Sequence, residues 1–407
     1  MGMQWNLMLL AWLLELKVHR CLLSSDPYAD VPDIVRLHGY PVETHAVVTA
    51  DGYVLTLHRL PARRARGARR APVLLQHGLL DSSACFAVNG PRQSLAYVLW
   101  GRGYDVWLSN SRGNYYSTGH VNLTRDNPRY WSFSFQEMGI YDEPAIIDYV
   151  LKITRHPKLI YVAHSMGAAI FFAMMNFRPE YNAKLTAAFL LAPACFCRYT
   201  KSFVFRFLPQ AIYIKKAALN SVGIYEVLPR LPLWQDLAAK LCSDMNPILQ
   251  LLCTSTLSSI EGSSPDNINK TQLVINFSHF PAGASIQTIA HYGQIMLSGN
   301  FNEYDYGIEE NRAFYEEGQP KAYRLHHVTI PVIMYCGGKD LLSDCEDIKH
   351  LYTQLVNSED KYFIFLKEYA HVDFIWGMDA RSYLYKDLVA RMDSHMTKHL
   401  QTRFYVS

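Results

Sequence analysis

Leu159-Ile160-Tyr161-Val162-Ala163-His164-Ser165-Met166-Gly167-Ala168-Ala169-Ile170-Phe171-Phe172 is the stretch from which the rest of the chain is read. A short apolar run comes first, then small-His-Ser-x-Gly, then apolar helix formers. That order is what a serine on a tight strand-to-helix turn requires. Ala163 and Gly167 keep bulk away from the turn, so the backbone at Ser165 can take a strained conformation and lift its hydroxyl above the sheet. Ser165 then stands at the N-terminus of a helix beginning near Met166, where free N–H groups favour developing negative charge. Such a serine is a candidate nucleophile. It needs a base, a group to orient that base, and amide donors for an oxyanion.

Upstream, Pro72-Val73-Leu74-Leu75-Gln76 reads as a buried strand that runs into His77-Gly78-Leu79-Leu80-Asp81-Ser82-Ser83. Gly78 lets the chain turn with its amides exposed, which makes the N–H of Leu79 and the N–H of Met166 the candidate oxyanion pair. For His77 a hydrogen-bonding role beneath the loop and a direct catalytic role both stay open. Earlier still, a linker-like stretch covers residues 26–33, and Asp51-Gly52 separates alternating apolar runs at 42–49 and 53–60, a strong hairpin signal. A helix at 92–102, a strand at 104–108, the turn Asn110-Ser111-Arg112-Gly113-Asn114 and a helical period over 142–153 lead to the central stretch. Residues 187–193 form a further buried strand. Strands alternating with helices in this way predict an α/β fold with a mainly parallel sheet covered on both faces.

From 194 to about 328 the pattern changes. Strand-like runs become rare, and apolar helical stretches such as 202–218 and 231–252 alternate with Pro and Gly. This predicts a helical insertion above the strand ends, able to cover an apolar pocket; a purely structural elaboration is the alternative. The sheet resumes with Pro331-Val332-Ile333-Met334-Tyr335-Cys336 and Gly337-Gly338-Lys339-Asp340. Asp340, on the loop leaving a late strand, is the candidate acid. Asp344 and Asp347 are its rivals, although Asp344 reads as the N-cap of the next helix. A last strand at 362–366 is followed by His371. Of 16 histidines it alone stands just after the final strand, and so is the candidate base. A serine hydroxyl is a weak nucleophile, so His371 would take its proton during attack on an acyl carbon, with Asp340 fixing the imidazole tautomer.

A chain of 407 residues that is 50% apolar and 18% charged has a large core. Its net charge of +3 is too small for this size to argue for a nucleic-acid partner. The basic run at 63–70, interleaved with Ala and Gly, reads as a solvated loop. Leu7-Met8-Leu9-Leu10-Ala11-Trp12-Leu13-Leu14 has the length of a signal-peptide core and is too short to span a bilayer. It lacks a basic leader and a clear cleavage site, and an N-terminal buried or amphipathic helix is the alternative. Asn122, Asn269 and Asn276 begin N-glycosylation sequons, which fit secretion. Among eight cysteines, Cys242 and Cys253 make the leading local disulfide, whereas Cys195, Cys197 and Cys336 lie in apolar surroundings typical of buried free thiols. No Cys or His spacing resembles a metal site, and nothing calls for a cofactor or an obligate protein partner.

The assembled motifs resemble the acid lipase family of α/β hydrolases, which includes gastric, lysosomal acid and insect digestive lipases. The resemblance runs from about Asp33 to the last helix. It rests on His38-Gly39-Tyr40-Pro41, Val48-Thr49-Ala50-Asp51-Gly52-Tyr53, His77-Gly78-Leu79-Leu80, Tyr104 to Asn114, Gly337-Gly338-Lys339-Asp340-Leu341-Leu342 and His371-Val372-Asp373-Phe374-Ile375-Trp376-Gly377. It implies an α/β-hydrolase fold with Ser165, Asp340 and His371 as a triad, Leu79 and Met166 at the oxyanion hole, and a Cys242–Cys253 pair. The resemblance also implies a lid within the cap. The chain then divides into a signal peptide at 1–25, a hydrolase core at 26–193, a cap and lid at 194–328 and the second part of the core at 329–407. The expected function is hydrolysis of neutral-lipid esters of the triacylglycerol or cholesteryl type, at an oil-water, lipoprotein or membrane interface, by a secreted or lysosomal enzyme. A short-chain carboxylesterase and a silent lipid-binding protein are the alternatives. The family usually reads Gly-His-Ser-Gln-Gly, whereas Ala163 and Met166 stand here. A backbone donor survives any side chain, so altered substrate fit or rate is expected, with the machinery intact.

Overall fold

The computed structural model describes residues 28–63, 70–243, 245–262 and 266–404. The expected signal peptide and most of the basic run lie outside the described residues. The apolar runs assemble into one sheet from β1 (Glu43–Val48), β2 (Tyr53–Leu60), β3 (Pro72–Gln76), β4 (Asp105–Leu108), β6 (Leu159–His164), β7 (Leu185–Leu191), β10 (Val332–Gly337) and β11 (Lys361–Leu366). Their spatial order is β1-β2-β4-β3-β6-β7-β10-β11, and the short β5 (Gly119–His120) pairs with β2. The β1-β2 and β2-β4 pairings are antiparallel, and every pairing from β4 to β11 is parallel. Every residue of β3, β6, β7 and β10 is buried, as strands covered on both faces must be, whereas the edge strand β1 is largely exposed.

Alternation along each strand divides the core between the two faces. Leu159, Tyr161 and Ala163 of β6 belong to the cluster that also takes in α3 (Glu143–Thr154), α4 (Met166–Phe177) and α11 (Cys345–Gln354). Ile160 and Val162 belong to the opposite cluster, with α2 (Leu95–Gly101) and α12 (Leu384–Phe404). Because β3, β6, β10 and β11 run in one direction, the loops leaving them collect at one edge of the sheet. In such sheets that edge is where ligands bind.

Between β7 and β10 the chain is helical: α5 (Phe203–Ser221), α6 (Pro232–Leu241), α7 (Pro247–Glu261), α8 (Leu273–His279), α9 (Ile286–Ser298) and α10 (Ile308–Tyr315). Two short strands, β8 (Glu226–Val227) and β9 (Ala284–Ser285), pair antiparallel within it. The apolar helical stretch over 231–252 is a pair of helices, α6 and α7. Pro247 begins the second, and the Asn246 side chain accepts from Leu249 N at 3.2 Å. The linker-like stretch at 26–33 also needs correction, because Pro32 and Asp33 open helix α1 (Val31–Leu37), which buries Val31, Ile34 and Val35.

Cys242 and Cys253 are disulfide-bonded, with Cα atoms 5.4 Å apart. Cys336 is not a free thiol. The chain loops from the end of β10 back to the start of α11 and pairs it with Cys345, Cα to Cα 5.6 Å. Cys195 and Cys197 are free and buried, as is Cys85. The three sequons also separate. Asn122 is exposed and Asn269 half-buried, but Asn276 is 2% exposed inside α8. A glycan has no room at Asn276, and that expectation is corrected.

Candidate active site

The turn between β6 and α4 has the conformation its small residues permit. Ser165 sits at φ 54° and ψ −119°, a sparsely populated region that costs a non-glycine residue about 1–3 kcal/mol. The strain is held on both sides: Ser165 N donates to Leu191 O at 3.0 Å, and Ser165 O accepts from Ala168 N at 3.0 Å and Ala194 N at 3.2 Å. Gly167 is obligatory there, since a Cβ would stand 2.8 Å from Gln76 O and 3.0 Å from His77 O. Gly78 passes equally close, its missing Cβ 3.0 Å from Ser165 Cβ. The two departures from the family pattern fit this frame. Ala163 is wholly buried in β6, and the Met166 side chain is buried in the core.

Asp340 and His371, on the loops after β10 and β11, meet as a buried pair. His371 Nδ1 lies 2.8 Å from Asp340 Oδ2, and each residue is 3% exposed. Asp340 Oδ1 accepts from Leu342 N and Ser343 N, both at 2.8 Å, so the carboxylate cannot swing away. Burial pulls the His371 pKa down, but the charge and hydrogen bond of Asp340, with a contribution from Glu261, outweigh it and leave the imidazole above its ordinary value. The rivals are engaged elsewhere. Asp344 caps α11 through Glu346 N at 2.8 Å and pairs with Lys201 at 2.6 Å, and Asp347 accepts from Tyr199 N at 2.9 Å.

For His77 the structure supports the hydrogen-bonding role, and residues around it support the same geometry. His77 bridges two loops: Nδ1 donates to Gly78 O at 2.8 Å, and Nε2 accepts from Ser111 N at 3.0 Å. Burial pulls its pKa down to about 4, so it is a neutral strut. The Ser111 turn is fixed in its turn by Arg112, a 2%-exposed cation paired with Asp142 and Asp51 at 2.5 Å each. His164 Nε2 donates to the carbonyl of His371 at 3.0 Å, and burial holds its pKa well below the ordinary value. The Asn110-Ser111-Arg112-Gly113-Asn114 turn was visible as a motif, but a partner such as Asp142, in the next helical segment, leaves no local pattern.

Ser165, His371, Gly78 and Leu79 line one cavity. Its other walls are chiefly apolar. Phe205 comes from α5, Tyr292 and Met296 from α9, Phe280 from the loop after α8, and Ile375 and Trp376 from the segment after β11. Leu79 N and Met166 N have no hydrogen-bond acceptor among the described residues. The set comprises a serine on a strained turn and a buried Asp-paired imidazole on one apolar cavity, with unpaired amides at Leu79 and at Met166, the residue after the serine. It is chemically equipped for acyl transfer. Among the described residues no group of His, Cys, Asp and Glu could hold a metal ion, and no helix is long and apolar enough to cross a membrane.

Comparison with known proteins agrees with this architecture. The profile described as a partial alpha/beta-hydrolase lipase region matches residues 31–90, and the alpha/beta hydrolase fold profile matches 71–378. The chain is 38% identical over 375 residues to Lipase 1 of Drosophila melanogaster, covering 92% of this chain and 82% of that protein. It is 38% identical to human gastric triacylglycerol lipase, covering 90% and 92%, and 34% identical to human lipase member K, covering 92% and 93%. A monoglyceride lipase structure from Saccharomyces cerevisiae shares the fold at 15% identity, with a TM-score of 0.50 over 88% of this chain and 98% of that one. With its fold, motif order and relatives in agreement, the chain belongs to the acid lipase family of α/β hydrolases.

Proposed function

We propose that the protein hydrolyses carboxylic esters of neutral lipids through an acyl-enzyme on Ser165. The observation that carries the reading is the strained Ser165 turn sharing one apolar cavity with the buried Asp340–His371 pair. In this mechanism Ser165 Oγ attacks the acyl carbon while His371 Nε2 takes its proton. The oxyanion accepts from Leu79 N and Met166 N, and the imidazolium is steadied by Asp340. The proton then passes to the leaving alkoxide as the ester C–O bond breaks. Water, deprotonated by His371, releases the carboxylic acid and restores Ser165.

The lipid class is supported by the apolar walls and by the likeness to human gastric triacylglycerol lipase. It is supported too by the outer surface of the helical segment at 194–328, which we read as a cap with a lid. Phe203, Ile214, Leu233 and Ile248 stand exposed there on α5, α6 and α7, an apolar surface suited to an oil-water, lipoprotein or membrane interface. The two disulfides and the exposed Asn122 sequon support an oxidising, secretory route, with extracellular space or the lysosome as the destination.

An acyl chain gains about 0.8 kcal/mol per buried methylene. Turnover on a series of esters is therefore expected to rise with chain length until the cavity is full, and to jump when substrate passes from monomers to an emulsion. Rates that fall steadily from acetate to oleate, with no interfacial jump, would identify a short-chain carboxylesterase instead.

A further inference from the structure

Glu261, the last residue of α7, is one of two buried carboxyls of the cavity, with Asp81, that the mechanism above leaves unused. It is 6% exposed and lines the same cavity as Ser165 and His371. Its Oε2 has no hydrogen-bond partner among the described residues. Its backbone carbonyl accepts from both Leu341 N and His371 N, each at 3.3 Å, and so ties together the loops that carry the acid and the base.

The geometry points to Glu261 as a further positioning residue, acting through His371: its carbonyl clamps the two loops, and its carboxyl, when ionised, joins Asp340 in favouring the imidazolium. The inference rests on the reading of His371 as the base. The titratable groups facing Glu261 are His371 and Asp373 from the segment after β11, Asp340 from the loop after β10 and Asp81 from the loop after β3. Lys339, on the Asp340 loop, is turned to Glu368 at 2.8 Å. Three of those four groups are carboxyls, so His371 is the counter-charge available to Glu261.

Burial pushes the Glu261 carboxyl up to about 7, and its charge in turn raises His371. The protonation of each group therefore depends on that of the other across the Glu261 range. The consequence has a sign. Above that range ionised Glu261 helps Asp340 hold the imidazolium formed in the transition state. Below it Glu261 is neutral and no longer promotes protonation of His371, so more of the imidazole stays free to accept the Ser165 proton.

The test is the rate at which a fluorophosphonate labels Ser165 from pH 4 to 9 in wild type, Glu261→Gln and Glu261→Asp. This rate follows the unprotonated fraction of the base. In Glu261→Gln the acid limb is expected to move to lower pH by about one unit and to titrate as a single proton. Glu261→Asp, which keeps an ionisable group, retains the coupled limb. If Glu261→Gln does not fold, neutral Glu261→Met reads the same limb. An acid limb that superimposes on wild type in the neutral variant, whatever its amplitude, overturns the inference while leaving the serine mechanism standing. Absence of label on Ser165 in wild type overturns that mechanism and the Glu261 role with it.

Discussion

Asp340 and Asp344 are four residues apart, yet one carboxylate faces an imidazole and the other a helix end. The position of each follows from where its element starts or stops. Asp340→Asn removes the charge and lets the His371 tautomer invert, so turnover should fall by about 10⁴, as wrong-tautomer variants of such triads do. Asp344→Asn keeps a capping side chain, and its ion pair with the exposed Lys201 contributes little, so stability should change by less than about 1 kcal/mol and turnover should stay near wild type. Steady-state kinetics of the two variants check the assignment; the reverse pattern would contradict it. Asp340 and His371 were legible in sequence because each follows a recognisable strand, the buried β10 and the apolar but half-exposed edge strand β11. Glu261 was not, because it ends an amphipathic helix and meets His371 only through the tertiary fold. Asn276 shows the same limit: a sequon states what an enzyme recognises and says nothing of burial.

At the scale of elements, the strand-turn-helix around Ser165 was readable because burial on both faces demands an unbroken apolar run and the turn demands small residues. Helix α1 was missed for the opposite reason. Its Pro32 and Asp33 are loop formers in isolation and first-turn residues only once Val31, Ile34 and Val35 find the core. Cys336 was misread because its partner lies beyond the Asp340 loop, and closure of that loop is a property of β10 and α11 together. The helical segment has its own close contact: a Cβ on Gly293 of α9 would overlap the Pro209 carbonyl of α5. Gly293→Ala should therefore push the two helices apart, at a cost of about 1–3 kcal/mol in stability. Because α9 carries Tyr292 and Met296 of the cavity wall, activity on long-chain esters should fall more than activity on acetate esters. Equal loss on both, or no loss of stability, would show that α9 does not shape the acyl site.

The whole molecule buries titratable groups of both kinds, which gives its stability a defined pH dependence. Burial raises Asp81 and Glu261 to about 7 and Glu143 to about 8. For these acids the folded state holds its proton more tightly, so their contribution is full below the unfolded values of 3.8 to 4.5 and is lost as pH rises through 7 to 8. Burial lowers His58 and His77 to about 4 and His291 to about 3. Their contribution is full above the unfolded value of 6.5 and is lost as pH falls toward 4. The melting temperature should thus rise as pH is lowered from 8 to 6.5, where the acids and the raised His371 act in the same direction. Below 6.5 the buried histidines, His164 and His279 among them, oppose the acids, and the melting temperature should drop below about 4.5. Calorimetric scans across this range check the prediction, and a fall between pH 8 and 6.5 would contradict it. The central claim, one activated serine in the whole chain, is tested most directly by intact-protein mass spectrometry after fluorophosphonate treatment. Wild type should gain a single adduct that maps to Ser165 and Ser165→Ala should gain none, whereas an adduct of equal yield on Ser165→Ala would place the nucleophile elsewhere.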